Sequence, residues 1–264
     1  MATFRDAGIV LRTHKLAEAD RIITLLTRDH GKVRAVAKSV RRTRSRFGAR
    51  LEPFMHVDLQ LYEGRSLDAI TQAVTLAAYG GPIAASYPAF TAASAVVEAA
   101  DKLSPVEHLA TRPLYRLTLG AVAALARGAA ESWNQADGLM DEGRVGPPGP
   151  GAVVDSYLLR ALALSGYAPS LAACAQCGAP GPHRAFSAAA GGMVCPNCRP
   201  PGAAAPSAAT VTLLGALLEG DWTAVAAASA GDSVAPEQAA ALVRSFAEFH
   251  MERAVLALRL VDRG

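Results

Sequence analysis

The chain has 264 residues, enough for one large or two ordinary domains, and 51% hydrophobic against 19% charged residues exclude global disorder. Its formal charge of +3 is unevenly placed: the 23 residues Arg28–Arg50 carry +8 and the remainder −5, an asymmetry that points to a polyanionic partner. The opening lacks the cationic-then-apolar order of a secretory leader, and the longest uncharged stretches, 82–97 and 202–218, contain Pro, Ser or Thr and fall short of a membrane span, so a cytoplasmic protein is expected.

Residues 5–16 read as a first strand, Glu18-Ala19-Asp20 as a turn and Arg21–Thr27 as a second, β-branched strand. His30-Gly31 turns the chain into a basic strand. There Lys32, Arg34 and Lys38 fall on one side and Val33, Ala35 and Ala37 on the other. Arg41-Arg42-Thr43-Arg44-Ser45-Arg46 reads as a loop, with Phe47 and Gly48 near its end. Arginine forks match phosphate oxygens, and an adjacent aromatic such as Phe47 can stack on a base, so nucleic acid is the expected partner of this segment. Met55, Val57, Leu59 and Leu61 alternate with polar residues as a half-buried strand, Glu63-Gly64-Arg65 is a hairpin turn, and Leu67–Leu76 is a fifth strand. Five short strands suit a small barrel. An OB-type barrel is the natural candidate, and a Greek-key or SH3-like barrel fits the strand count as well.

At Tyr79-Gly80-Gly81-Pro82 the pattern changes from strand to helix. Residues 84–103 have helical spacing with Phe90, Ala93, Val97 and Ala100 on one stripe; a second helix starts near Pro113 and stops near Gly128. Residues 129–152 lose periodicity, and GRVGPPGPG reads as a loop or linker. Helix returns over 153–166, 203–220 and about 236–260, the last with Leu242, Phe246, Phe249 and Arg253 in step. The expected organisation is an α+β chain, with a barrel over 1–80 and a helical domain over 81–264.

Inside the helical half, Cys174, Cys177, Cys195 and Cys198 form C-x2-C-x17-C-x2-C, a strong zinc spacing in which each pair can place two thiolates on one ion. Two disulfides or a redox pair are the alternatives; a reducing compartment disfavours the first, and a redox pair leaves the second CxxC unexplained. Four thiolates close the tetrahedron, so the ion is expected to be structural and the module to span 174–198. His183 stands nearby as a substitute ligand. It does not open a His-x-Glu deaminase motif, since Arg184 and Ala185 follow it. Neither GxxxxGK[ST] nor GxSxG occurs, and no catalytic constellation is evident.

The segment Leu16–Phe54 closely resembles the RecO family of DNA recombination mediators, most specifically in Glu18-Ala19-Asp20-Arg21, Phe47-Gly48 and Leu51-Glu52-Pro53-Phe54. The cysteine block with GAPGPHRAF inside it resembles the zinc-bearing, actinobacterial-type branch, and the likeness covers essentially the whole chain apart from an insertion near 141–151. It implies an N-terminal OB fold, a helical domain carrying the zinc module, and a non-enzymatic role. That role is to bind single- and double-stranded DNA, anneal complementary strands and, with RecR, help load RecA onto DNA coated by single-stranded-DNA-binding protein, whose acidic C-terminal tail family members bind. A nucleoid-associated location follows from the same likeness. DNA contact is carried over to Lys32, Arg34, Lys38, Arg41, Arg42, Arg44, Arg46 and Arg50. The tail is expected on the helical half, near cations such as Arg112, Arg116, Arg127 and Arg160. A zinc-ribbon nucleic-acid-processing enzyme or its subunit, or a DNA-binding regulator, is the alternative from another class.

Overall fold

The computed structural model describes residues 2–42, 44–136, 148–251 and 256–261. Most of the GRVGPPGPG stretch, Thr43 and Arg253 lie outside the described residues. The chain divides into two compact units, residues 1–144 and 145–264.

Five strands open the first unit: β1 (Thr3–Leu16), β2 (Asp20–Thr27), β3 (Gly31–Ala37), β4 (His56–Tyr62) and β5 (Asp68–Ala77). They close a barrel in the order β1-β2-β3-β5-β4, with β4 returning antiparallel to β1. The alternation read from the sequence is the reason. Val33, Ala35 and Ala37 of β3, and Val57, Leu59 and Leu61 of β4, all point into one buried interior with Val10, Ile23 and Leu25. The seam is short: β3 meets β5 in parallel only at Ala35↔Asp68 and Val36↔Ala69. Below the seam the loop after α2 supplies the missing edge, where His108 N–H donates to the Lys32 carbonyl at 2.9 Å.

Three helices follow in the same unit: α1 (Gly80–Ala85), α2 (Tyr87–Leu103) and α3 (Arg112–Ala136). Ser86 caps α2 by accepting from Ala89 N–H, with Pro88 in the first turn. The buried face of α2 is Ala92, Ala93, Val96, Val97, Ala99 and Ala100. Phe90, expected on that stripe, is 46% exposed, because small alanines let neighbouring backbones approach more closely than a phenyl ring would. Instead of stopping near Gly128, α3 continues to Ala136. One interior glycine costs about 1 kcal/mol, which the helix-favouring Ala129, Ala130 and Glu131 offset. The change from strand to helix near residue 80 is therefore not where the compact units part. α2 packs against β1 and α3 against β2, so Thr24 and Leu26 are fully buried although they alternate with the interior-facing Ile23 and Leu25.

The second unit holds α4 (Pro150–Leu164), a two-stranded hairpin β6 (Ala185–Ser187) and β7 (Gly192–Val194), then α5 (Ala208–Glu219), α6 (Trp222–Gly231) and α7 (Ala235–His250). Ser207 and Asp221 cap α5 and α6 by accepting from Thr210 N–H and from Thr223 and Ala224 N–H. α4 is buried around most of its circumference, and Ser156 Oγ donates to the Leu217 carbonyl of α5 at 2.7 Å. α7 ends at His250 and not near 260; Leu242 and Phe246 are buried, while Phe249 is 52% exposed.

Candidate nucleic-acid interface and metal centre

The cations read from the sequence divide into two groups. Lys32 and Arg34 sit on β3, outside the barrel, and both are held. Lys32 Nζ donates to the Asp101 carboxylate and carbonyl of α2, each at 3.1 Å, and is only 12% exposed. Arg12 of β1 reaches the same carboxylate at 3.1 Å. Arg34 pairs with Glu107 at 2.5 Å and keeps 44% exposure. These acids stand roughly 70 residues downstream, and no local pattern signals them.

The second group lies on the turn and loop after β3. Ser39 adopts a left-handed φ of 58° and donates its N–H to Asp20 at 2.7 Å; Arg41 donates its N–H to the Ala19 carbonyl and its guanidinium to that of Glu18. The loop is thus tied to the β1–β2 turn. Arg50 donates to the Arg46 carbonyl at 2.7 Å, and Arg46 lies 4.8 Å over the Phe47 ring. Lys38, Arg42 and Arg44 are exposed and, among the described residues, make no ion pair or side-chain hydrogen bond. Phe47 is not a stacking platform. It is 1% exposed and plugs the barrel interior with Val40 and Leu51, since an apolar ring beside an open barrel end gains more by burial than by waiting for a base.

In the second unit the four cysteine sulfurs all lie within 4.8 Å of one another. Cys174 and Cys195 are buried, Cys198 is half-buried and Cys177 is exposed. The β6–β7 hairpin brings the second pair under the first: Ala175 N–H donates to the Met193 carbonyl, and Cys195 N–H points at Cys174 Sγ at 3.4 Å. Backbone N–H groups of Cys177 and Cys195 lower the Cys174 thiol to about 6. Hydrogen bonds to Cys195 and Cys177, with burial and the nearby Cys174 charge, push Cys198 up to about 12. Negative charge at Cys174 and the raised Cys198 thiol oppose each other at one centre, and a cation there would favour both as thiolates, as in a tetrathiolate metal site. The residues present fit such an ion. His183 stays outside the set, its Nε2 donating to the Ala179 carbonyl at 2.9 Å.

A cleft of about 660 Å³ opens among α4, α5, α6 and α7, lined by Leu213, Leu217, Val225 and Ala240 together with Asp155, Glu237 and Arg244. None of Arg112, Arg116, Arg127 or Arg160 lines it. Arg112 instead pairs with Asp29 at 2.7 Å. No helix among the described residues is long and apolar enough to cross a membrane.

Comparison with known proteins places one family match in each of the two units. Residues 1–79 match the family model for the N-terminal part of recombination protein O, and residues 145–259 match that for its C-terminal part. Over the full length of both chains, the sequence is 49% identical to the DNA repair protein RecO of Thermobifida fusca and 48% identical to that of Cutibacterium acnes. The RecO of Streptomyces griseus is 47% identical, again over both whole chains. With an OB-type barrel first, a four-cysteine cluster in the helical part and full-length likeness to these proteins, the chain belongs to the RecO family of DNA repair proteins.

Proposed function

We propose that this protein is a non-enzymatic recombination mediator. It binds single- and double-stranded DNA and anneals complementary strands. With RecR it helps load RecA onto DNA coated by single-stranded-DNA-binding protein, in the cytoplasm at the nucleoid. The observation that carries this reading is the set of exposed cations Lys38, Arg42 and Arg44, unpaired among the described residues, on a turn and loop anchored to the barrel. Two polyphosphate strands repel, and a surface that neutralises both lets base pairing finish the work without nucleotide hydrolysis. Replacing Arg41, Arg42, Arg44 and Arg46 by Ala should weaken binding to all sequences alike. It should also flatten the dependence of log K on log salt by about 0.7 for every single-strand phosphate that is no longer neutralised. An unchanged slope and affinity would remove this loop from the DNA site. Annealing in the absence of nucleotide and catalytic metal, with no cleavage or base modification, separates a mediator from a processing enzyme.

The ion of the four-cysteine centre is zinc, in a structural role: four thiolates satisfy its preferred tetrahedron and leave no position for a reacting water. The tail of the coating protein docks by its apolar end in the cleft of the second unit, with Arg244 facing its carboxylates and Asp155 and Glu237 also in the lining. Arg244→Ala should weaken a fluorescent tail peptide severalfold on the full chain; equal binding by wild type and variant would move the tail elsewhere.

A further inference from the structure

The outer face of β1-β2-β3 is covered at one end and open at the other. Register sets out its rows. Arg12, Thr24 and Arg34 are directly paired across the three strands, and so share a face; the next row on that face is His14, Ile22 and Val36. In the first row Thr24 is fully buried and the two flanking cations are taken by Asp101 and Glu107, so the helical cover of the first unit begins there. In the second row His14 is exposed, with Ile22 and Val36 half-buried beside it, and no described residue pairs with the His14 ring. Lys38 follows at the end of β3, and Arg42 and Arg44 stand on the loop beyond.

We propose that the row His14–Ile22–Val36 is a base-stacking site for single-stranded DNA, with His14 as the ring on which an unpaired base rests. This inference rests on the proposed DNA binding and says which part of the strand meets which part of the protein. The row spans two inter-strand spacings, about 10 Å, which is room for one or two bases laid flat. Its chemistry is apolar with one planar ring, which suits a base; a phosphate could meet only the N–H edge of His14, and the abasic probe below separates the two. The cations free of ion pairs among the described residues stand on one side of it, at Lys38, Arg42 and Arg44, while Arg12 and Arg34 on the other side are held by Asp101 and Glu107, so free charge and apolar surface lie side by side as a single strand presents them. A duplex keeps its bases stacked inside and can use the cations alone. Phe47, the aromatic nearest the basic loop in sequence, cannot serve because it is buried.

The test uses the full chain with His14→Ala and His14→Phe and three probes: a single-stranded oligonucleotide, an abasic oligonucleotide of the same length, and a duplex. The proposal expects His14→Ala to weaken the base-bearing single strand about fivefold, the low end for one stacked base. It should leave the abasic strand and the duplex unchanged, with no change in salt slope. His14→Phe should restore the affinity. Equal affinity of wild type and His14→Ala for the base-bearing strand overturns the proposal. A parallel loss on the abasic strand, or a flatter salt slope that Phe does not rescue, overturns it too by making His14 a partner of phosphate. Arg42→Ala with Arg44→Ala is the control: loss of all three probes in that variant keeps the DNA-binding reading standing whatever happens at His14.

Discussion

Lys32 on β3 and Lys38 just past its end stand six positions apart, yet the first is clamped by Asp101 and the second is open to solvent. Residue type and alternation put both outside the barrel; a helix arriving from elsewhere in the chain made one of them structural. Gly31 shows the same dependence. Its φ of 64° is left-handed, and a Cβ there would fall 1.8 Å from the Leu109 carbonyl oxygen, which is backbone and cannot swing aside. Gly31→Ala should therefore cost several kcal/mol, on the order of 3, read as a shifted urea midpoint. Two histidines make stability depend on pH. Burial holds His56 and His250 below their usual value, against a weaker opposing effect of the hydrogen bond from His250 to the Ala188 backbone. The unfolded chain then takes up protons near its ordinary pKa, about 6.5, while the folded chain resists. Stability from these groups is complete above that value and is lost as pH falls below it. Urea midpoints should drop between pH 7 and 5.5. His56→Gln, which keeps a partner for the Tyr115 hydroxyl at 2.8 Å in wild type, should make that drop shallower.

At the scale of elements, the link between α2 and the barrel is the carboxylate of Asp101, which holds β1 through Arg12 and β3 through Lys32. Asp101→Ala leaves a largely buried ammonium without its anion and should destabilise the first unit by about 3 kcal/mol. Arg12 is half exposed and adds little to that figure. Far-ultraviolet melting of the variant checks it. The cysteine module is a separate element with little apolar core of its own: Cys174, Ala185, Val194 and Cys195 are its buried cluster. So small a cluster needs a cross-link, which a bound ion supplies with about 10–16 kcal/mol in peptide models. Cys177→Ser should reduce zinc content to well under one per chain and increase proteolysis within 174–198, while barrel strands keep their amide protection. Full zinc occupancy in that variant would count against a four-thiolate site.

For the whole molecule, the chain boundary between the compact units falls at residue 144, beyond three helices that follow the barrel. A fragment of residues 1–144 should fold and melt cooperatively. A fragment of residues 1–80 would expose Ile9, Leu11 and Leu26, all buried in the intact unit, and should aggregate or remain partly unfolded. Light scattering and circular dichroism of the two fragments decide between this boundary and one at the strand-to-helix change.

The strands, their turns, the cysteine spacing and the basic segment were legible in the residues themselves. Each depends on local periods and spacings: the two-residue alternation of Lys32–Ala37, the left-handed preference at Gly31, the x2 step within each CxxC pair. What followed from distance along the chain was not legible. The extent of α3 past Gly128, the burial of Phe47 in the barrel mouth and the exposure of Phe90 turned on which surfaces met. Asp101 and Glu107 took Lys32 and Arg34 out of the free basic surface only because folding carried α2 and its following loop to the open edge of β3. Charge and period are written residue by residue, so the sequence alone determined that this chain is a basic barrel joined to a helical, cysteine-bearing half. Which cations stay free to meet a polyanion depends on long-range packing, and only the tertiary structure decided it.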